Sequence, residues 1–591
     1  MKRLLKYLSD YKKECVIAPL FKLLEALFDL IVPMVTAAMI DHGIGSRDEG
    51  LILRYGGILL LLAMVGLTCS IIAQYFAAKA AVGFAAKLRH ALFAHVETFS
   101  FTEIDEIGTS TLITRLTSDV NQLQSGVNMA LRLFLRSPFI VFGAMILSFT
   151  YDVKIALLFV GAIILLSAVV FGIMAISTPL YKKVQGYLDR VLGAVKENLT
   201  GVRVIRAFHR EKEEEKEYRE WNGTLSKEQL FVGRIAALTN PVTYVIVNLT
   251  LVLLLWSSGL RIDAGGLQQG QVVALIGYLS QILVELIKLA NTIVLTNKSL
   301  ASANRIADVL DKKSILTDRK LSGEVSLYDE NVSKANPFSG KAGGQVVFKN
   351  AALCYKGSRE NSVEGVEFTA EPGEVIGIIG GTGSGKTSLI SLIPRFYDVT
   401  QGAVYLDGKD VRTQEIEALR KKIGIVMQKA VLFKGTIREN LLWGNEKADD
   451  AELEEALKLS QAWEFVEKKE KGMDTMIAQG GRNLSGGQRQ RLSIARALVR
   501  KPEVLILDDS MSALDYATDA KLRKGLQTLS YRPTIFMVSQ RTTSIRHADK
   551  ILVLEDGKVL DIGRHEELLE RCNTYLEIHE SQFKDIGKAG A

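Results

Sequence analysis

The chain is 591 residues long, more than one domain holds at roughly 100–200 residues each. Hydrophobic residues make up 48% of it and mean hydropathy is +0.15, yet 24% of its residues are charged. That composition fits neither an ordinary soluble enzyme nor a chain wholly embedded in lipid; an apolar half joined to a water-facing half accounts for both numbers. The net charge is +7, and the basic residues gather near the ends of hydrophobic runs. This reads as a membrane-topology signal rather than a nucleic-acid surface, so no nucleic-acid partner is expected. Cys15, Cys69, Cys354 and Cys572 lie far apart with no CxxC pair, which argues against a disulfide framework or a cysteine metal site.

Residues 1–14 are basic and amphipathic. No small-residue cleavage site precedes the first apolar run, so they read as an elbow segment rather than a removable signal peptide. A membrane domain is expected over 15–309, with six apolar runs at 15–40, 51–77, 129–149, 155–176, 236–260 and 272–295. Each is near the ~20 residues that cross a bilayer as a helix. The loops at 41–50, 151–154 and 261–271 are short. The two between them are long and basic, carrying Lys79, Lys87, Arg89 and Arg115, then Lys182, Lys183, Arg190, Lys196, Arg203, Arg206 and Arg210. By the positive-inside rule the long loops and both termini face the cytoplasm of a multi-pass cell-membrane protein in contact with lipid. The helical pattern of the long loops predicts membrane helices that continue into the cytoplasm.

Some runs carry charge. Lys22, Glu25 and Asp29 share one helical face of the first, and Glu285, Lys288 and Asn291 one face of the last. Local pairing of Lys22 with Glu25 and of Glu285 with Lys288 is the preferred reading; a cavity tolerating cationic amphiphiles is the alternative. Residues 310–345, with Pro337, Gly340, Gly343 and Gly344, read as a linker. Beyond it, apolar β-like runs alternate with helical patterns over 346–582, which predicts an α/β domain with parallel strands, followed by a short tail at 583–591.

Within that domain the buried-strand pattern Val375–Ile379 runs into Gly380, Gly381, Thr382, Gly383, Ser384, Gly385, Lys386 and Thr387, then a helical stretch from Ser388. This is a phosphate loop in its strand–loop–helix context: backbone N–H groups close on phosphate oxygens, Lys386 reaches the β/γ-phosphates, and the Thr387 hydroxyl binds Mg²⁺. A second strand, Val504–Leu507, ends in Asp508, placed to hold Mg²⁺, and is followed by Asp509.

The run Leu484, Ser485, Gly486, Gly487, Gln488 resembles the signature of ATP-binding cassette (ABC) proteins. In that family the Ser and glycines at a helix N-terminus bind the γ-phosphate of ATP held by the other subunit, again an anion at a helix N-terminus. The resemblance also implies that Tyr355 stacks on adenine, although a core tyrosine is an equal reading of that residue alone. It implies that Gln428 links Mg²⁺ to the membrane domain and that Ser512–Asp515, with Asp515, forms the loop at the dimer seam. Residues 110–120 and 197–208 are similar to the two cytoplasmic loops of the exporter branch. The fold implied is an all-α six-helix transmembrane domain followed by an α/β P-loop nucleotide-binding domain, with ATP and Mg²⁺ as cofactors.

The chain departs from the family at two catalytic positions. Asp509 stands where a glutamate usually polarises the attacking water, and is one methylene shorter than a base that must come within about 2.6–3.2 Å of the atom it serves. Gln540 stands where a histidine is usual and cannot carry charge. Gln479, where exporters usually have Glu, is a weaker departure. Together these resemble the degenerate subunit of bacterial heterodimeric multidrug exporters, which implies a second exporter half as partner and a hydrophobic or amphipathic small molecule as substrate. A peptide or lipid exporter half, or an ATP sensor that no longer transports, are the alternatives.

Overall fold

The computed structural model describes residues 4–314 and 343–583. The expected linker and tail therefore fall largely outside the described residues. Two compact units emerge. The first is built from Met1–Glu97 and Ser110–Lys312; the second takes Thr98–Thr109 together with the chain from Lys313 onward.

The helices of the first half are α1 (Lys12–Ala38), α2 (Glu49–Val96), α3 (Phe101–Ile107), α4 (Thr109–Thr114), α5 (Val120–Leu133), α6 (Arg136–Tyr151), α7 (Val153–Ala207), α8 (Glu211–Ala237), α9 (Thr239–Asp263) and α10 (Gln269–Asp311). Two of the starts are set by side-chain caps: Asp48 accepts from Leu51 N at 3.1 Å ahead of α2, and Asp152 from Lys154 N at 2.7 Å ahead of α7. At about 1.5 Å per residue α7 is roughly 80 Å long, far more than the ~30 Å hydrocarbon core.

By length and composition, five stretches of the described chain can cross a membrane: Glu49–Val96, Thr109–Tyr151, Val153–Ala207, Glu211–Asp263 and Gln269–Asp311. The sixth expected span, α1, has the length at 27 residues; Lys22, Glu25 and Asp29 inside it lower its apolarity. The core of this unit joins Leu30, Ile140, Phe159, Leu254, Leu275 and Ile282, among others. Small residues let the helices close up. A Cβ on Gly126 would stand 2.0 Å from Ser299 Oγ, which donates to Gln122 O at 2.8 Å, so α5 and α10 touch through backbone.

The charged faces pair as the spacing predicts. Lys22 lies 2.6 Å from Glu25 and Lys288 lies 2.9 Å from Glu285. Arg136, at the start of α6, goes unnoticed in the sequence inside the apolar run 129–149, yet it reaches Glu285 at 2.5 Å and Asp29 at 2.8 Å.

The described residues of the second unit form three sheets. Strands β3 (Val375–Gly380), β6 (Ile423–Val426), β9 (Val504–Asp508), β10 (Thr534–Val538), β11 (Lys550–Glu555) and β12 (Lys558–Gly563) form one in the order β12-β11-β3-β10-β9-β6. Its pairings are parallel except for the edge pair β11 with β12. Every residue of β9 and β10 is buried, which explains their unbroken apolar sequence. The expectation of parallel strands holds for this sheet and omits the next. Strands β1 (Val346–Leu353), β2 (Val363–Ala370), β4 (Gln401–Leu406) and β5 (Lys409–Asp410) make an antiparallel sheet. A small pair joins β7 (Gly435–Thr436) to β8 (Met476–Ile477).

Segment Thr98–Thr109, which the sequence places inside the 15–309 membrane domain, clusters with this unit. The cause is aromatic. Phe101 of α3 lies 4.6 Å from Phe396 and 6.1 Å from Tyr397, ring to ring. Tyr397 donates its hydroxyl to Asp105 at 2.7 Å, and Lys356 pairs with Glu106 at 3.0 Å.

Candidate nucleotide-binding site

Strand order places the site. β10 lies between β3 and β9, with Val538 opposite Ile378 on one side and Asp508 on the other. The turns after these three strands carry the phosphate loop, Gln540 and Asp509, so all three emerge at one edge of the sheet, at the carboxyl ends of its strands, where α/β folds bind ligands.

The loop after β3 needs its glycines. Gly380, Gly383 and Gly385 have φ of 158°, 87° and 92°. A Cβ on Gly385 would stand 2.3 Å from Ser362 O, and one on Gly380 2.1 Å from Leu554 O. Gly385 caps the helix Lys386–Ser391, so backbone N–H groups and the helix end face the same space, a cradle suited to phosphate. Lys386 Nζ donates to Gly380 O at 2.9 Å and Ser384 Oγ at 3.2 Å. Burial holds its pKa below the usual lysine range, against the pull of Asp509 and Asp508. Gly381, Thr382 and Gly383 are exposed on the outer turn.

Thr387 Oγ1 donates to both oxygens of Asp508, each at 3.1 Å. Asp508 is buried, and its carboxyl is pushed up by burial and by the charge of Asp509, with the Thr387 bond opposing. A hydroxyl and a carboxylate are hard oxygen donors that fit Mg²⁺. No cluster of His, Cys, Asp and Glu able to cage a metal occurs among the described residues, and Mg²⁺ is typically held by one or two carboxylates together with phosphates and water.

Asp509 has φ of 44°, a left-handed conformation for which Asp is among the favoured non-glycine residues. Its backbone N donates to Val538 O at 3.1 Å and its carboxylate accepts from Gln428 Nε2 at 3.3 Å. Burial raises its carboxyl above the ordinary range, while Gln428, Lys386 and Arg541 pull it back. The sequence reading missed Arg541, which sits next to Gln540. Gln428 is bonded to Asp509, and no hydrogen bond joins it to Thr387 or Asp508 among the described residues. Gln540 is exposed; its carbonyl accepts from Gln582 Nε2 at 2.8 Å.

Tyr355 follows β1, donates to Ser388 Oγ at 2.9 Å and meets Tyr397 edge-on at 5.0 Å. It is half-buried. The aromatic chain Tyr355–Tyr397–Phe101 was not legible, because its members are separated in sequence and none lies in a motif.

The signature stands apart. Ser485 caps the helix Gly486–Val499 with Gln488 in a reciprocal capping box, at 3.0 and 3.2 Å. Ser485 and Gly486 are exposed, and a Cβ on Gly486 would meet nothing within 4 Å. A Cβ on Gly487 would lie 3.3 Å from Ala513 O, in the loop that ends at Asp515. Asp515 caps the helix Tyr516–Gln527 through Thr518 N at 2.9 Å. No hydrogen bond ties Ser485–Gln488 to Lys386, Thr387, Asp508 or Asp509 among the described residues. Gln479 lies exposed in a short turn ahead of the signature.

A helical membrane domain fused to a P-loop cassette that carries this signature defines the class of ABC exporter half-transporters. Residues 15–286 match the ABC transporter transmembrane region and residues 363–512 the ABC transporter domain. The uncharacterized ABC transporter ATP-binding protein YfiB of Bacillus subtilis is 35% identical over 583 residues, 99% of each chain. The putative multidrug export ATP-binding/permease protein YgaD of the same organism is 30% identical over 600 residues, 99% of this chain and 98% of that one. The ATP-dependent lipid A-core flippase of Photorhabdus laumondii is 26% identical over 587 residues, 98% of this chain and 97% of the flippase. The fold matches that of a bacterial Atm1-family ABC exporter with ATP bound, at a TM-score of 0.78 and 23% identity over 97% of this chain and 99% of that one. The chain belongs to the ABC transporter family.

Proposed function

We propose that this chain is one half of an ATP-driven exporter of hydrophobic or amphipathic small molecules. It works beside a different half, its own phosphate-loop site turns over slowly, and its signature completes the partner's site. One observation carries the reading: the phosphate loop, the Thr387–Asp508 pair and the signature cap are all built, while the two positions that activate water hold Asp509 and Gln540. YgaD's name supports drug export as the task; the flippase's name fits an amphipathic cargo too.

In this reading Gly380–Ser388 hold the phosphates of ATP and Tyr355 stacks on its base. Thr387, Asp508 and Gln428 hold Mg²⁺, which when bound neutralises phosphate charge. Asp509, the candidate base, is too short to reach a water lying where a glutamate would reach it. Gln540 orients by hydrogen bonding alone. Ser485, Gly486 and Gly487, at a helix N-terminus that Gln488 helps to cap, bind a phosphate on the partner, and Asp515 holds the seam loop. The membrane domain spans 15–309 with six crossings and cytoplasmic termini in the cell membrane, flanked by the elbow at 1–14 and the linker at 310–345; the cassette spans 346–582 with its tail at 583–591.

Steady-state ATP hydrolysis by the purified chain, alone and mixed with a second exporter half that carries Glu and His at the two altered positions, tests this. The lone chain is expected to be slow, and the pair fast and dependent on Ser485. A lone chain running as fast as the pair overturns the asymmetric reading.

A further inference from the structure

The membrane unit holds a network of charges that the nucleotide chemistry does not use. Lys22 gives both its short bonds to Glu25, at 2.8 and 2.6 Å, and reaches Ser70 at 3.3 Å. Arg136 bridges helices, donating to Glu285 on α10 at 2.5 Å and to Asp29 on α1 at 2.8 Å. Glu285 also accepts from Ser137 at 2.7 Å and Lys288 at 2.9 Å. The six ionisable groups Lys22, Glu25, Asp29, Arg136, Glu285 and Lys288 sum to zero charge.

A purely structural network satisfies its members evenly, because an unpaired charge in a low-dielectric region is costly. This one does not. Glu285 has three donors and a side chain only 4% exposed. Asp29 has one side-chain donor, Arg136, and is 42% exposed; Lys288 has one acceptor, Glu285, and is 43% exposed. The centre is unfinished too: Arg136, 9% exposed, has a buried Nε without a partner. So does the Oε1 of Gln281, whose Nε2 donates to Asp29 O at 3.0 Å. The series Asp29–Arg136–Glu285–Lys288 thus alternates in sign and ends in an open acid on one side and an open base on the other.

We propose that this series is a ligand subsite of the membrane domain for an amphipathic zwitterion, with Asp29 taking the ammonium and Lys288 the anionic group. A zwitterion adds no net charge to a neutral cluster, whereas a simple cation or anion of the same apolar body leaves one uncompensated. The inference rests on the export reading only in making this ligand a cargo.

The test is binding without ATP, on the full chain in neutral-lipid nanodiscs, with three probes sharing one body. These are Nε-dansyl-lysine (a zwitterion), its methyl ester (a cation) and its Nα-acetyl form (an anion), each followed by dansyl fluorescence. Wild type is expected to bind the zwitterion at least about tenfold more tightly than either relative. Asp29→Asn is expected to remove that advantage over the anion, and Lys288→Gln over the cation, with trinitrophenyl-ATP binding at the cassette unchanged as the check on folding. In wild-type protein, dicyclohexylcarbodiimide labelling of Asp29, read by peptide mass spectrometry, is expected to be slowed by the zwitterion and not by the anion. Equal binding of the three probes, a cation that binds as tightly as the zwitterion, or labelling that no probe slows overturns the proposal. Failure of ATP-dependent export by the pair, with probe binding intact, counts against the export reading instead.

Discussion

The phosphate loop and the signature are both glycine-rich turns at helix N-termini, and they differ in how far the chain finishes them. Around the loop four polar side chains have partners within the chain: Lys386 on Gly380 O, Thr387 on Asp508, Gln428 on Asp509, Tyr355 on Ser388. Around the signature Ser485 and Gln488 bond to each other and Arg489 donates to Leu484 O, while Gly486 faces open space. A site finished internally is damaged within the lone chain. A surface finished by something else is damaged only when that something is present.

The largest effect is expected at Gly487. Its Cβ position lies 3.3 Å from Ala513 O, so Gly487→Asp places a carboxylate beside a carbonyl and against the phosphate that the turn faces. Hydrolysis by the pair is expected to fall by about 100-fold or more, the scale of losing one transition-state donor, while nucleotide binding by the lone chain is unchanged. Gly486→Ala sharpens the contrast. The added methyl meets nothing in this chain, and alanine in a helix is favoured over glycine by roughly 0.5–1 kcal/mol. The melting temperature of the lone chain is therefore expected to hold or rise while the pair loses turnover. A less stable Gly486→Ala chain breaks the comparison.

Next comes Lys386→Ala. It removes a side-chain ammonium at the phosphate cradle and is expected to weaken ATP binding to the lone chain by about 10- to 100-fold, the ~1.5–3 kcal/mol of a charged hydrogen bond. Trinitrophenyl-ATP titration measures it. Wild-type affinity here means the loop is not where phosphate sits.

How legible these regions were follows from the same contrast. The loop, Asp508 and the signature were readable because backbone requirements write them into sequence: φ values near 90° at Gly383 and Gly385, an apolar strand ending in an acid, a capping box at Ser485. The parallel sheet was readable from unbroken apolar runs such as β9. What escaped depends on packing between distant segments. Arg136 sits inside an apolar run and gains meaning only from Asp29 and Glu285 on other helices. The move of Thr98–Thr109 to the cassette unit depends on Phe101 meeting Phe396 and Tyr397, for which sequence has no periodicity. The antiparallel sheet β2-β1-β4-β5 went unread because its strands are separated by the phosphate loop.

Tyr355 yields a smaller effect and separates two readings of one residue. Tyr355→Ala is expected to weaken ATP binding by the ~1–3 kcal/mol of a base–aromatic stack. Tyr355→Phe keeps the ring and loses only the bond to Ser388, about 0.5–1.5 kcal/mol at most. If Phe is as damaging as Ala, the hydroxyl rather than the ring holds the site together.

The smallest effect on turnover is expected at Asp509. If the pair hydrolyses ATP at the partner's phosphate loop, Asp509→Asn is expected to change its rate by less than about threefold, under ~0.7 kcal/mol of barrier. The same substitution has a clear signature in stability. Burial raises the Asp509 carboxyl above its unfolded value, so the folded chain binds that proton more tightly than the unfolded one. The contribution to stability is most favourable below the ordinary carboxyl range, near pH ~3.9, and is lost as pH rises through the raised native value. At pH 7 the wild-type cassette carries that cost in full. Asp509→Asn removes it and also removes the charge that helps push Asp508 up. The variant is therefore expected to melt higher than wild type at pH 7, with the difference closing as pH falls toward 4. Thermal melts of the lone chain across that range, run beside steady-state hydrolysis by the pair, read both halves at once. A chain stabilised at neutral pH with turnover preserved has a carboxylate that the pair does not need. A collapse of turnover to the Gly487→Asp level makes Asp509 a working base and the site a competent one.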